Sequence, residues 1–229
     1  MGRGVPLERR IGYGSRVSER AGVDSGPKDA LVDAAERLFA EHGLDGVSMR
    51  DIAKAAGQRN NSAVAYHFGG RDGLVREVFR RRMLVINQRR REMVDALDGA
   101  ADRDPLRALL EAMILPLAEH LRAAGPGSTY LQFLARVSPT VDFRDPTLAS
   151  VRALHTELAT RMQRELTHLS PATALARITL VLTMSASALA AFEQQWALGL
   201  VDGERELDAV VAHVVDLAVG GLRAGANAG

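Results

Sequence analysis

The sequence has no cysteine among its 229 residues. This absence excludes a disulfide framework, a cysteine-ligated zinc finger and a cysteine nucleophile, and it is compatible with a reducing cytoplasm. Aromatic residues are also scarce, at 4% of the chain, and the formal net charge is only +1. Because 47% of the residues are hydrophobic, the chain can still bury a large core, and its length predicts one or two domains.

The small net charge hides an uneven distribution along the chain. Residues 1–97 hold 18 Lys and Arg against 13 Asp and Glu, whereas the remainder holds 11 against 15. The front portion is therefore net positive and the back portion net negative. This asymmetry favours a polyanion as the partner of the front portion, although many basic faces are only solvated.

The first 27 residues are rich in Gly and Arg and lack the apolar segment that a secretory signal requires. We interpret residues 1–27 as a disordered arm. Contact between its arginines and nucleic acid is a less favoured alternative. We expect the protein to be cytoplasmic.

Apolar residues recur at helical spacing along most of the chain, and Pro and Gly stand at the joints. No stretch alternates with period two, so we expect an all-α fold of about nine helices. The predicted helices cover residues 27–42, 48–56, 60–68, 71–97, 105–124, 129–137, 146–169, 171–198 and 204–222.

One of these helices is apolar enough to raise the question of a membrane. Residues 174–192 approach the length of a membrane span, but Arg177 and several Ser and Thr residues interrupt them. We expect no membrane. The favoured interpretation is a helix buried in a core or against a second copy of the chain.

The segment from Ser48 to Arg71 has the features of a helix-turn-helix. Ser48 and Asp51 form a capping box for a first short helix, and Gly57 supplies the turn. Asn60 or Asn61 can cap a second short helix, whose small polar residues suit a DNA major groove.

Several residues of this segment have side chains suited to DNA. An Asn can hydrogen-bond adenine, an Ala can touch a thymine methyl group, and basic residues can hold phosphates. The Tyr66 hydroxyl is suited to a phosphate, with simple packing of the ring as an equal alternative. On this reasoning the candidates are Arg59, Asn60, Asn61, Ser62, Ala63, Tyr66 and Arg71.

The pattern resembles the tetracycline-repressor (TetR) family of bacterial transcription regulators. The matching phrases are LFAEHG at residues 38–43, a Ser followed by the RDIA and AG phrases at 48–57, an aromatic-His-Phe run at 66–68, and Arg71 followed by Leu74. Between Gly57 and Phe68 this chain is one residue longer than the commonest family pattern.

The resemblance implies a division of labour along the chain. Residues 28–72 would form the helix-turn-helix DNA-binding domain and residues 73–229 a ligand-binding and dimerisation domain. In the first domain, Arg50 would approach a base, Ser48 and Met49 would lie near phosphate, and the recognition positions would fall at Asn61, Ser62, Ala63 and Tyr66. For Arg50, a salt bridge within the domain, with Asp51 or another neighbour, is the alternative.

Two arginine clusters, residues 80–82 and 89–91, lie on a single predicted helix. Their nine-residue separation turns them by about 900°, to nearly opposite sides of the helix. They cannot form one basic stripe. A solvated face or pairs with acidic neighbours explains them better.

The back portion contains no recognisable catalytic phrase, phosphate loop or metal-ligand pattern, and its histidines are scattered. We expect no cofactor and no metal. Its apolar helices carry Met113, Leu117, Tyr130, Phe133, Met162, Met184 and Phe192, which line a small-molecule cavity or simply pack. The candidate ligand-binding residues are Met113, Leu117, Phe133 and Met184, with Arg136 and His155 as polar anchors.

The last two predicted helices carry apolar stripes with small residues. They resemble the helices by which the TetR family forms a two-fold dimer, although such a stripe serves an internal core equally well. The candidate interface residues are Leu189, Trp196, Leu207, Val211, Val214 and Ala218.

The sequence therefore predicts a homodimeric regulator that binds a pseudo-palindromic double-stranded DNA operator. As a repressor, it would leave this operator when an unknown small apolar effector binds. Three alternatives stay open: an activator on the same fold, a nonspecific architectural DNA-binding protein, and an all-helical enzyme acting on small apolar substrates.

Overall fold

The computed structural model describes residues 26–60, 62–98 and 104–225, and within them the chain is all-α, without strands. The expectation of about nine helices is confirmed. The helices are α1 (Pro27–His42), α2 (Met49–Ala55), α3 (Ala63–Phe68), α4 (Arg71–Leu97), α5 (Pro105–Ala124), α6 (Tyr130–Val137), α7 (Ala149–Glu165), α8 (Pro171–Ala197) and α9 (Gly203–Arg223). Most of the predicted arm, residues 1–25, lies outside the described residues.

The clearest departure from the predicted boundaries concerns residues 146–169. A 3₁₀ turn, Pro146–Leu148, precedes α7, and α7 ends at Glu165. Asp145 shapes this entry because its side chain accepts a hydrogen bond from the Thr147 amide at 2.8 Å. Apolar spacing continues through both turns, and for that reason the sequence pattern alone merged them with the helix.

The first three helices form a head that packs on the beginning of α4. Leu31 and Phe39 of α1, Ile52 of α2, Val64 of α3 and Leu74 of α4 are all within 1% of complete burial. These side chains meet at the centre of the head. The short α2 and α3 are held mainly by this shared core, because isolated helices of six or seven residues are unstable in water.

The remaining helices form the body of the molecule. Helix α8 packs mainly against α6 and α9, while α5 lies between α4 and α9. Aromatic rings join head and body, since Phe133 of α6 lies 6.5 Å from Phe39 of α1 and 4.9 Å from Phe79 of α4, measured between ring centroids. The core is therefore continuous from α1 to α9.

The arginines at positions 80–82 and 89–91 of α4 are engaged inside the chain. Arg82 is typical, because its Nε lies 2.6 Å from the buried Glu36 carboxylate. The interpretation as pairs with acidic neighbours holds for five of the six arginines, whose partners are Glu77, Asp29, Asp33, Glu36, Glu92, Glu119 and Glu157. Arg90 is the exception, and it is described below.

Candidate nucleic-acid interface and regulatory core

Helix α2 begins with the capping box that the sequence predicts. Ser48 Oγ accepts a hydrogen bond from the Asp51 amide at 3.1 Å, and Asp51 Oδ2 accepts one from the Ser48 amide at the same distance. The Ser48 hydroxyl and the Ser48 amide both donate to the Asp51 carboxylate, and these two hydrogen bonds lower the pKa of that carboxyl. The box satisfies two amides that the helix leaves free and sets the direction in which α2 leaves the loop.

The turn between α2 and α3 depends on glycine and asparagine. Gly57 has φ +69°, a left-handed conformation that side chains other than glycine rarely adopt. Asn60 Oδ1 then accepts a hydrogen bond from the Ser62 amide at 2.9 Å, one residue before α3 begins. The N-cap of α3 is Ser62, which makes no side-chain cap hydrogen bond, so the expectation that Asn60 caps this helix is wrong: its side chain closes the turn before the cap. Asn61 lies outside the described residues.

Helix α3 presents an exposed polar and aromatic face. Tyr66 is 85% exposed, and its ring meets only the edge of His67 among the rings of the described residues. Ser62, Ala65 and His67 are exposed beside it. A large aromatic side chain that is so exposed does not contribute to the core. The alternative that the Tyr66 ring simply packs therefore does not hold for the single chain.

Ala63 departs from its expected place. It is 8% exposed and belongs to the core of the head with Val64. The expectation that its methyl group touches a base is therefore wrong in this structure. The physical reason is helical register: Ala63 and Val64 take the buried side of α3, and Ala65 takes the outer side that was expected for Ala63.

The basic residues of the head divide into exposed and engaged ones. Arg50, Lys54 and Arg59 are exposed, and no carboxylate of the described residues lies within 4 Å of Arg50. Met49 is half-buried at the start of α2. Arg71 is different: its guanidinium donates to the Leu44 carbonyl and, at 2.8 Å, to the Val47 carbonyl. It therefore secures the loop that leads into α2.

The six candidate ligand residues do not come together in one closed site. Met113, Leu117 and Phe133 are buried, whereas Arg136, His155 and Met184 lie at the surface. Arg136 donates to the Glu41 carbonyl of α1 at 3.0 Å, and Met184 is 59% exposed. Only the buried three belong to the interior of the body.

The six candidate interface residues of α8 and α9 are all buried within the single chain. Their exposed fractions run from 0% for Leu189 and Leu207 to 9% for Trp196, with Val211, Val214 and Ala218 between. In this structure the predicted stripe is thus internal core. Both helices have a second apolar side, and the sequence pattern alone does not say which side faces inward.

That second side is exposed in the single chain. The exposed leucines and methionine of α8 are Leu180 and Met184, at 62% and 59%, and Leu198 directly after the helix is 65% exposed. On α9, Leu217 is 72% exposed. Helix α8 has a mean hydropathy of 1.7 over its most apolar window, only 33% of which is buried. By length and composition it is the one candidate for a membrane span among the described residues.

Buried polar groups connect the head to the body. The Glu36 carboxylate of α1 accepts from Arg82 Nε and, at 3.4 Å, from Thr129 Oγ1 at the start of α6. Burial raises the pKa of Glu36, against the opposing charge of Arg82. Because Arg136 reaches α1 from the other end of α6, this helix is tied to the head at both ends.

The start of α6 is held from the opposite side by α8. Glu193 of α8 is 1% exposed, and its carboxylate accepts from Ser128 Oγ and from the Leu131 and Gln132 amides, the latter at 2.8 Å. Burial raises the pKa of Glu193, while these hydrogen bonds oppose the rise. A carboxylate at a helix start also complements the helix dipole.

A further polar group lies between these contacts. Tyr130 of α6 is completely buried, and its ring packs against the edge of His120 of α5 at 5.4 Å between centroids. Burial lowers the pKa of His120 to about 4 and raises that of Tyr130 above its ordinary value. Both groups are therefore neutral at pH 7.

A three-helix head with a capped α2, a glycine turn and an exposed α3 has the arrangement of a helix-turn-helix, a motif that serves DNA binding. The family model for bacterial regulatory proteins of the tetR family matches residues 31–78, the segment that forms the head. The head of this chain is therefore similar to the heads of this family of transcription regulators.

Individual relatives agree with this assignment. The chain is 36% identical over 101 residues to the HTH-type transcriptional repressor KstR2 of Rhodococcus jostii (strain RHA1). The match covers 44% of this chain and 46% of that repressor, so it spans about half of the relative's length.

The solved structure of a TetR-like transcriptional regulator from Rhodococcus sp. RHA1 is similar in fold. It superposes with a TM-score of 0.52 at 19% identity, over 86% of this chain and 95% of that one. The similarity extends through the body and confirms that the whole described chain has the fold of these regulators.

Proposed function

We propose that this protein is a homodimeric transcriptional repressor that leaves its operator when a small apolar effector binds in the body. The observation that carries the proposal is the exposed face of α3. Tyr66 is 85% exposed and lies among small polar side chains on an α-helix, and a major groove is wide enough to admit such a helix. The protein would act in the cytoplasm, where it meets the chromosome.

The proposed DNA surface combines base readers and phosphate holders. The proposed base readers are Tyr66 of α3, Ser62 directly before this helix, and Asn61. Ala65 replaces the buried Ala63 as the apolar contact. Around them, phosphate contacts are proposed for Ser48, Met49, Arg59 and Asn60, and a base contact for Arg50. Arg71 acts indirectly, since its guanidinium holds the loop before α2.

The homodimer is supported by the exposed side of α8. Leu180, Met184, Ala191 and Leu198 follow one another at intervals of four or seven residues, so they share one face of the helix. Monomeric proteins rarely leave such a face uncovered. A second copy, with α8 and α9 of each chain forming a four-helix bundle, covers it without a membrane.

The proposed coupling between effector and operator runs through α6 and α4. Thr129 and Arg136 fasten α6 to α1, and Arg82 fastens α4 to the same helix through Glu36. An effector that shifts α6 or α4 would change the distance between the two heads of the dimer, so that their α3 helices no longer fit successive major grooves. For this to work, the effector must bind the form that does not fit DNA more tightly.

Operator binding tests this proposal directly. The site is first located by footprinting the DNA upstream of the protein's own and neighbouring reading frames. A specific regulator should prefer this site over unrelated DNA by about 10³ to 10⁷ at fixed salt. An architectural protein would show no such preference, and a reporter gene separates repression from activation.

Single substitutions then assign roles in the head. Asn61→Ala should lose discrimination at particular bases by about 1 to 3 kcal/mol, with little loss on random DNA. Arg50→Ala should weaken operator binding. Arg205→Ala removes one exposed positive charge from the body, and as the matched control it should leave operator binding unchanged. Equal losses on operator and random DNA would contradict the assignment of Asn61.

The dimer is tested by sedimentation of the full chain. Leu180→Glu places a charge on the exposed face of α8 and should yield monomers with weakened operator binding. Leu84→Glu alters another exposed leucine, on α4, and should leave the dimer intact. If both variants sediment like the wild type, the proposed interface is wrong.

A further inference from the structure

Two buried side-chain polar atoms have no hydrogen-bond partner among the described residues. They are Arg90 Nε on α4 and Tyr130 Oη on α6. Although they lie on different helices, both contact α5: Arg90 donates to the Met113 carbonyl, and the Tyr130 ring packs against His120, two turns further along α5. The Arg90 charge also opposes the burial that raises the pKa of Tyr130. Unsatisfied buried polar groups are rare in native proteins, and two in one place need an explanation.

Arg90 also lacks a counter-ion. It is 5% exposed, and its hydrogen bonds go to neutral acceptors: Asn87 Oδ1 at 3.1 Å, the Met113 carbonyl at 3.0 Å and the Met83 sulfur at 3.7 Å. No carboxylate of the described residues lies within 4 Å of it. Burial lowers its pKa only to about 10, so it remains charged at neutral pH. Buried charges are normally paired, and this one is not.

The neighbouring charges do not neutralise it. Arg82 and Glu36 form their own pair, with 2.6 Å between nitrogen and oxygen. Glu193 is committed to Ser128 and to the amides at the start of α6. The region therefore holds one unit of positive charge without a partner.

The surroundings of Arg90 are apolar. Met83 and Ile86 precede it by seven and four residues on the same face of α4, and both are buried. Met113 supplies the carbonyl that Arg90 holds, and Leu117 lies one turn further along α5. A ligand of this region would be mostly apolar, with a single polar end.

We propose that the effector is an apolar acid whose carboxylate pairs with the Arg90 guanidinium and accepts a hydrogen bond from the Tyr130 hydroxyl. This rests on the proposed function as an effector-responsive repressor. A guanidinium matches a carboxylate with two parallel hydrogen bonds, and the free Arg90 Nε is one of its donors. One negative charge balances Arg90, whereas a phosphate monoester carries about −1.5 to −2.

The position of Tyr130 gives this ligand a route to the DNA-binding head. The residues on either side of Tyr130 make the contacts that hold the start of α6: Thr129 to Glu36 of α1, and Leu131 to Glu193 of α8. A carboxylate that draws the Tyr130 hydroxyl toward Arg90 would disturb both contacts. The effector would thereby act on α1 directly.

Calorimetric titration of the purified full-length protein tests the assignment. The probes are straight-chain acids from hexanoate to stearate and cyclic and fused-ring carboxylates, each compared with its primary alcohol. At least one acid should bind about tenfold more tightly than its alcohol, as expected for hydrogen bonds to a charged group. Tyr130→Phe should remove about tenfold of the acid affinity and leave the alcohol unchanged.

Arg90→Met and Arg90→Lys separate binding from structure. The Met variant should lose the preference for acids and melt no lower than the wild type, because it removes an unpaired charge. If the Met variant does not fold, the Lys variant serves instead. It keeps the positive charge but cannot form the two parallel hydrogen bonds of a guanidinium, so it should bind acids less tightly than the wild type does. The proposal is overturned if no acid is preferred over its alcohol, or if Tyr130→Phe binds acids like the wild type, as it would if a water molecule occupied the site.

The same preparations distinguish this inference from the proposed function. If the operator is bound but no acid is preferred, the inference alone fails. If acids bind tightly and the operator complex does not respond to them, release by this effector fails while the carboxylate site stands.

Discussion

The head and the body use the same kind of side chain for opposite purposes. In the head, the aromatic ring of Tyr66 is left 85% exposed, whereas in the body Tyr130 and Phe133 are completely buried. The head therefore keeps its distinctive chemistry at the surface, where a large macromolecule can reach it. The body keeps its own inside, where only a small molecule fits. Exposure, rather than residue type, separates the surface proposed to read DNA from the interior proposed to bind an effector.

The largest effect expected from this comparison is on stability. Phe133→Ala should lower the free energy of unfolding by about 3 to 5 kcal/mol, because its ring packs against Phe39, Phe79 and Tyr130. Tyr66→Ala should change it by no more than about 0.5 kcal/mol. Urea denaturation followed by circular dichroism measures both values.

Operator binding should show the reverse order for a folded protein. Tyr66→Ala is expected to weaken the operator complex about tenfold, and Tyr66→Phe tells whether the hydroxyl or the ring is responsible. A destabilisation by Tyr66→Ala as large as that of Phe133→Ala would contradict the division between head and body.

The head could be predicted from sequence because its signals are local. The Ser48 capping box, the Gly57 turn and the boundaries of α1 and α2 each depend on residues a few positions apart. The exposed side of α3 was predicted less well. Ala63 was expected at the surface, but it is buried. One additional residue before α3 changes which residues of this helix face inward, and the local spacing of residues does not show that change.

The body could be predicted as a set of helices but not as a set of faces. Helix α8 is apolar on two sides, so Leu189 and Trp196 were as plausible at an interface as Leu180 and Met184. Only the packing of α6 and α9 against α8 decides between them. Arg90 was hidden for a related reason: it lies in a run of three arginines, and two of these pair at the surface with Glu119 and Glu157.

A further prediction concerns pH and uses a buried group of the body. The pKa of His120 is lowered to about 4 from 6.5, so between these values the unfolded chain binds more protons than the folded one. The contribution of His120 to stability is complete above pH 6.5 and is lost as the pH falls toward 4. From pH 7 to pH 5 this loss amounts to about 2 kcal/mol.

The variant His120→Gln provides the comparison, because every other titrating group is unchanged. The wild type should lose about 2 kcal/mol more than this variant between the two pH values, as measured by denaturant unfolding at each. Parallel curves would mean that His120 titrates as an exposed histidine does.

The smallest expected effects come from two similar helix caps, one in each region. Ser48→Ala removes the side-chain acceptor of the Asp51 amide, and Ser170→Ala removes that of the Thr173 amide at the start of α8. Each should cost about 1 kcal/mol of unfolding free energy, within a range of about 0.5 to 2.

The effects of these two substitutions on DNA binding should differ, because α2 has seven residues and directs the proposed reading helix, whereas α8 has 27 and is anchored along its length. Ser48→Ala should therefore weaken operator binding beyond its effect on stability, and Ser170→Ala should not. Equal operator affinities at equal stability would show that the cap stabilises α2 without positioning it.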